Sequence, residues 1–421
     1  LRPAARIQAA IEILESLNAS RFPADRFVRD FFRTRRYAGS KDRAAVTERV
    51  YDVFRHRASF AWRMGSDTPR ALVLASLSHE GLGVDDISAL FSGEGHDPAI
   101  LTDDERAALI APPTGEAPAY IRGEYPKFLE DEVKRAFGEF AAAEMAAMQA
   151  RAPVDLRVNT LKATRDDVVA ALNSEGFDAQ STRHSPLAIR LESAKGLAAL
   201  QQSKLFTDGA FEFQDEAAQI AVLLAAAKPG MKVLDLAAGA GGKSLALAAA
   251  MNNTGEITAH DIDEGRLRQI APRAARAGVS IIQTHAGNKP PGRPYDLVFL
   301  DAPCSGSGTW RRSPENKWRL TQDRLAELNA LQDMLLDQAA ARAPGKARIV
   351  YATCSFLTSE NEDRVLAFLT RHPAFAVQAA AQIWRESVGT EPPPGVDEFF
   401  NATPLSTGTD GFFAAVLARK A

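Results

Sequence analysis

Cys304 closes the run Asp301-Ala-Pro-Cys304 and is followed by Ser305; Cys354 lies in Thr353-Cys354-Ser355. These are the only two cysteines among 421 residues. A cysteine met alone in a sequence is more often a small buried hydrophobe than a reagent. Here each follows an apolar run, Leu297 to Leu300 and Ile349 to Ala352, so each falls just past the carboxyl end of an expected strand. Open α/β sheets bind their ligands at that edge. Neighbouring strand ends would turn both thiols toward one cleft, where a thiolate can act as a nucleophile. A disulfide is the other chemistry open to the pair, and a reducing compartment disfavours it.

A second constellation runs from Val233 through Ala237, Ala238, Gly239, Ala240, Gly241, Gly242 and Lys243 to Ser244. It reads as strand, glycine loop and helix start, which lets a ligand approach the backbone and offers free N–H groups to it. A Walker loop needs glycine at 237, where alanine stands; a GxGxxG loop beginning at Gly239 needs glycine at 244, where serine stands. A dinucleotide, a phosphate or S-adenosylmethionine remain open on this loop alone. Asp261 follows Ile257 to His260, about twenty residues further on, where an acidic side chain commonly holds a ribose; the plainer reading is a helix cap. Asp263 and Glu264 suit the start of the next helix, where negative charge is favoured. Beyond the first cysteine, Arg311, Arg312, Lys317 and Arg319 alternate with Trp310 and Trp318. Cations that meet phosphate and rings that stack on bases make this a candidate RNA contact; the alternative is a solvated basic loop with two core tryptophans.

The elements that must position these residues follow from periodicity. From Phe206 onward, strands at Lys232–Leu236, Glu256–His260, Ser280–Thr284, Asp296–Leu300 and Arg348–Ala352 alternate with helices at Gly242–Met251, Glu264–Ala277, Thr321–Ala341 and Ser359–Thr370. That alternation predicts an α/β fold with a doubly wound, mostly parallel sheet over 206–421. The run Gly411 to Leu417 predicts an antiparallel edge strand. Residues 119–205 predict a small α/β module of ferredoxin-like order, with a helix at Lys127–Gln149, a strand at Val154–Val158, a helix at Asp166–Ser174 and a strand at Ala188–Leu191. Residues 1–118 predict a helical domain: Ile7, Ile11, Leu14 and Leu17, then Val46, Val50, Val53 and Phe54, fall at helical spacing, and a Pro-rich stretch, 111–118, reads as a linker.

Composition narrows the classes. With 46% hydrophobic and 24% charged residues the chain is neither disordered nor collagenous, and two cysteines cannot staple a secreted framework, so a cytoplasmic protein is expected. No apolar run reaches the roughly 18 residues of a membrane span, and no signal-type core follows Arg2 and Arg6. Seven histidines with no pair at helical spacing argue against a metal site. The net charge of −3 is uneven: residues 1–63 hold 14 Lys/Arg against 7 Asp/Glu. Arg29, Arg33, Arg36, Arg43 and Arg57 lie there among Phe27, Phe31, Phe32 and Tyr37. A basic segment on an acidic body suggests a nucleic-acid partner, against the alternative of a solvated helix face.

From about Tyr125 to the end, the sequence resembles the Nop/Sun family of RNA cytosine-5 methyltransferases. The motifs are Leu156 to Thr160, Phe213 to Ala217, the Ala237–Lys243 loop, Asp301 to Cys304, Arg311 to Trp318, Ala352 to Ser355 and Asp410 to Phe413. The resemblance implies a class I methyltransferase sheet, S-adenosylmethionine as cofactor and cytosine in structured RNA as acceptor, with ribosomal RNA favoured over transfer RNA. It also implies that Ala237 to Lys243 and Asp261 hold the cofactor and that Asp301 serves cofactor and base. Cys354 matches the nucleophile and Cys304 the cysteine that assists release. The sequence departs where Ala240 replaces a common proline, and where Thr284 to Asn288 lacks an expected aspartate. A monomer is expected. A phosphate-loop hydrolase and a non-catalytic RNA scaffold are the competing classes.

Overall fold

In a computed structural model the chain is described over residues 1–18, 22–35, 37–191 and 196–420, so Arg36 lies outside the described residues. It divides into two units: Leu1–Gln149 with Trp310–Leu320, and Ala150–Thr309 with Thr321–Ala421. This division falls further along the chain than the 111–118 stretch suggests, and it moves an eleven-residue piece into the first unit.

The first unit is helical because its apolar residues recur at helical spacing and find each other. Ile7, Ile11, Leu14 and Leu17 on the helix Pro3–Asn18 are buried, as are Val46, Val50, Val53 and Phe54 on Ser40–Arg55. Both pack around Pro69–His79, in which Leu72 through Leu77 are all buried. Further on, Gly138 takes φ +53° and breaks the expected helix Lys127–Gln149 into Glu130–Phe137 and Ala141–Ala147, with a turn of 3-10 helix between them.

In the second unit, β1 (Val154–Val158), β2 (Ala179–Ser181), β3 (Ala188–Leu191) and β4 (Phe211–Phe213) form an antiparallel sheet in the order β2-β3-β1-β4. One helix, Arg165–Ser174, joins β1 to β2, and two short ones, Leu197–Gln202 and Lys204–Thr207, lie between β3 and β4. This is the expected ferredoxin-like order, extended to residue 213.

The larger sheet comprises β5 (Lys232–Leu236), β6 (Glu256–Asp261), β7 (Ile282–Ala286), β8 (Leu297–Asp301), β9 (Arg348–Thr353), β10 (Phe375–Gln378), β11 (Phe400–Ala402) and β12 (Phe412–Arg419). Its main path is β10-β12-β9-β8-β5-β6-β7, and β11 pairs with β12. Pairs among β5 to β9 are parallel, while β12 is antiparallel to both β9 and β10. So β12 is antiparallel as expected, but it is interior rather than an edge: Phe412 to Ala418 are all buried, which explains the unbroken apolar run. The helix expected at Glu264–Ala277 is two pieces, Glu264–Leu267 and Ile270–Ala277. Pro272, which has no N–H to give, lies in the first turn of the second.

Candidate active site

β5 delivers the chain into the glycine loop with Leu234 and Leu236 fully buried. Ala237, Gly239 and Gly241 take φ of +68°, +56° and +80°, which turns the chain sharply before the helix Gly242–Ala250. A side chain at Gly241 would put Cβ 2.7 Å from Ile270 Cγ1. The loop is held on one side by the β6 end: Ala238 N–H donates to His260 O (2.8 Å) and Gly239 N–H to Asp261 Oδ2 (2.8 Å). Asp261 Oδ1 accepts from Asp263 N–H (2.8 Å), so this carboxylate does cap the turn while standing at the strand end.

From the other side two guanidiniums grip loop carbonyls. Arg273 Nη1 donates to Ala240 O (2.6 Å) and Arg157 Nη1 to Gly242 O (2.9 Å). Glu212, buried on β4, pairs with Arg273 and Arg276. Burial pulls Arg157 down to about 10, with Glu212 opposing. Ala240, which lacks the stiffness of proline, is therefore fixed through its carbonyl. Neither arginine was expected at this loop: Arg157 belongs to the separate Leu156–Thr160 motif, on β1, and Arg273 lies on the helix Ile270–Ala277 outside any motif.

The charges of Asp301 and Asp261 reach Asp235 here. Burial pushes Asp235 up to about 7, partly offset by the Ser244 hydroxyl bound to its Oδ2 (2.5 Å). Its Oδ1 is buried without a hydrogen-bond partner. Acidic side chains at the ends of three neighbouring strands, Asp235, Asp261 and Asp301, suit a ligand bearing an ammonium and a sulfonium better than an anionic triphosphate. The residues present therefore fit S-adenosylmethionine.

The chemical residues stand at the ends of β8 and β9, where Asp301 is registered with Ala352. Cys304 Sγ and Cys354 Sγ are 3.4 Å apart, both half-buried. The expectation that the two thiols share one place is met in the geometry. The contact with Cys354, burial and the Glu360 charge raise Cys304 well above the usual thiol range. Lys243 Nζ lies 2.6 Å from Asp301 Oδ2. Burial alone would pull this ammonium down, but Asp301 and then Cys354 more than reverse it. The sequence placed Lys243 with the cofactor only; as the second residue of its helix it reaches across to β8. Among the described residues no group of three or more metal-ligating side chains occurs. His260 and His285, registered partners on β6 and β7, form an isolated pair with Nδ1 atoms 3.3 Å apart.

The four residues expected to contact RNA are corrected in part. They belong to the first unit, and Arg311 and Lys317 are buried. Lys317 Nζ donates to Arg55 O (3.1 Å), Trp318 Nε1 to Phe54 O (2.6 Å) and Arg319 Nη2 to Phe22 O (2.9 Å). Arg312 and Arg319 are half-buried.

The family model of 16S rRNA methyltransferase RsmB/F matches residues 221–418, and that of the ferredoxin-like domain of RsmF/B-like methyltransferases matches 125–198. The chain is 33% identical over 302 residues to ribosomal RNA small subunit methyltransferase B of Citrobacter koseri, a match covering 70% of this chain and 67% of that protein. The solved structure of PH0851 is similar over 100% of this chain and 99% of its own, with a TM-score of 0.77 and 25% identity. A methyltransferase homolog protein from Pyrococcus horikoshii is similar over 72% and 98%, with a TM-score of 0.59 and 27% identity. The cofactor is S-adenosylmethionine, as the family match supports and as the carboxylates around the loop suit. By sequence and fold alike, this chain belongs to the RsmB/F family of 16S rRNA methyltransferases.

Proposed function

We propose that the protein methylates carbon 5 of a cytosine in small-subunit ribosomal RNA through a covalent bond between Cys354 and the base. The observation that carries this reading is the sulfur pair: two thiols 3.4 Å apart, beside the Lys243–Asp301 ion pair. Carbon 5 of cytosine is too poor a nucleophile to take a methyl group unaided. Addition of the Cys354 thiolate at carbon 6 opens the carbon 5–carbon 6 double bond, and the electron pair spreads toward N3. N3 takes up a proton through Asp301, which receives it from the Lys243 ammonium 2.6 Å away, leaving carbon 5 enamine-like. When bound, S-adenosylmethionine supplies an electrophilic methyl group on a sulfonium. Carbon 5 takes that methyl, then loses its own proton to water; N3 returns its proton to the Lys243–Asp301 pair, and the Sγ–carbon 6 bond breaks with its pair going to Sγ, which Cys304 assists, so that the ring is restored and Cys354 is free. A base within a helix must be extruded to reach such a site.

Cys354→Ala is expected to abolish methylation and any protein–RNA adduct. Cys304→Ala is expected to form the adduct and stay on it, giving a shifted band on a denaturing gel with 16S rRNA and S-adenosylmethionine. A shifted band with Cys354→Ala instead would reverse the two roles. Bisulfite sequencing of RNA from cells with and without the protein identifies the cytosine; a change confined to transfer RNA would overturn the ribosomal substrate.

A further inference from the structure

Glu360 and Asn361, adjacent in the chain between β9 and the helix Glu362–Arg371, take no part in the chemistry above, yet both side chains are buried. Glu360 reaches the first cysteine's loop. Its Oε1 accepts from Ser305 N–H (2.8 Å) and from Gln332 Nε2 (3.1 Å), and its Oε2 accepts from Ser305 Oγ (2.5 Å). Gln332 Nε2 also donates to Pro303 O (2.9 Å), so the residues before and after Cys304 are tied to one carboxylate. Asn361 reaches the other loop. Its Nδ2 donates to Ser355 O (2.9 Å) and its Oδ1 accepts from Thr353 Oγ1 (2.6 Å), the residues on either side of Cys354. The loops are also joined through Ser307 Oγ and Ser355 Oγ, 2.8 Å apart.

We propose that Glu360 and Asn361 are a pair of positioning residues, each fixing one of the two sulfurs: Glu360 holds Cys304 and Asn361 holds Cys354. The proposal deepens the two-cysteine reading and rests on it for its catalytic meaning. Because the two residues are consecutive, a shift of one loop is passed to the other through a single peptide bond, in addition to the direct ties between the loops. Glu360 differs from Asn361 in carrying charge. It is one of the groups that keep the Cys304 thiol up, after Cys354 and burial. Tyr351 Oη, donating to Glu360 O (2.5 Å), anchors the joint to β9.

The test is thiol labelling of the whole chain with iodoacetamide from pH 7 to 11, each cysteine followed separately by peptide mass spectrometry. In Glu360→Gln the pH midpoint of Cys304 labelling is expected to fall by about one pH unit and its rate at neutral pH to rise about tenfold, the scale on which one nearby charge acts. Cys354 should stay within about twofold, since only the Cys304 loop loses its charge partner. In Asn361→Ala the response is expected at Cys354 instead. Ser305→Ala keeps the Glu360 charge and cuts one tie, so Cys304 labels faster with no change of midpoint; it also decides the matter if Glu360→Gln fails to bind S-adenosylhomocysteine and so is misfolded. An unchanged Cys304 in Glu360→Gln, or equal responses of both cysteines in both variants, overturns the proposal. So does an unchanged Cys304 rate in Ser305→Ala. With 16S rRNA, Glu360→Gln is further expected to accumulate the denaturation-resistant adduct. If no adduct forms even in Cys304→Ala, the covalent reading fails on its own while the labelling result still judges the two positioning residues.

Discussion

Burial pulls the Lys317 ammonium down to about 8, and Glu124 opposes that pull. Glu124, itself pushed up by burial, accepts from Ala58 N–H (2.8 Å) and Ser59 N–H (3.2 Å) at the start of the helix Arg57–Met64. Negative charge at a helix start is favourable, and a counter-charge then makes its burial tolerable. A lysine whose folded value lies below its ordinary 10.5 binds fewer protons folded than unfolded between those limits. The cost, about 3 kcal/mol by linkage, is therefore fully present below pH 8 and is relieved as pH rises toward 10.5. Thermal unfolding of the native chain and of Lys317→Met should show this. The difference between their midpoints is expected to move in favour of the native chain by several degrees across that window. A difference that stays flat would mean the ammonium is hydrated. Reading Lys317 as an RNA contact failed because the deciding partner is 193 positions away, and no local pattern reports a carboxylate at that distance.

Short strands and their order were the least legible elements. β5 and β1 lie where alternation and apolar runs put them, and β8 within one residue, because each is a buried run bounded by turn residues. β2, β4 and β11 have three residues each, too few to set a period. The interior position of β12 depends on β10, which pairs along its far side and has half-exposed residues that announce nothing. Of the site, the two thiols, Asp301 and the loop were legible because sheet physics gathers strand ends at one edge. The Arg157 and Arg273 grips were not: Arg157 stands in the Leu156–Thr160 motif, 85 positions from the Gly242 carbonyl it holds, and Arg273 is one cation among 50 Lys/Arg. Gly308 offers the test at this scale. A Cβ there would lie 2.0 Å from Gly411 O, in the approach to β12, and Gly411 N–H donates to Gly308 O (2.8 Å). Gly308 N–H also donates to Cys354 O (3.0 Å). Gly308→Ala is expected to destabilise the fold by about 1–3 kcal/mol, as overpacking does, and to change the labelling rates of both cysteines together. Native stability with native labelling would show that the strand approach yields freely.

Over the whole molecule, charge is divided more sharply than structure. The excess of cations in residues 1–63 sits on the helical unit, and Arg29 and Arg33 on the helix Ala24–Arg33 are among its most open, at 72% and 77% exposure. Their ion pairs with Asp25 and Asp30 are exposed and so contribute little. If this face meets RNA phosphates, substituting both arginines by glutamine should lower the slope of log affinity against log salt by about two, without altering which cytosine is modified. An unchanged slope would assign the face to solvent. The inserted piece has a consequence of a different kind, in the order of events during translation. A ribosome that has made Gln149 has made all of the first unit except Trp310–Leu320, which is still about ten to thirty seconds away at ordinary elongation rates. Until then the nascent helices lack the indole that takes up the Phe54 carbonyl and the ammonium that faces Glu124. The amino-terminal half, first to emerge, is thus made to wait for the carboxyl-terminal half, and a chain stalled before residue 320 leaves neither unit finished.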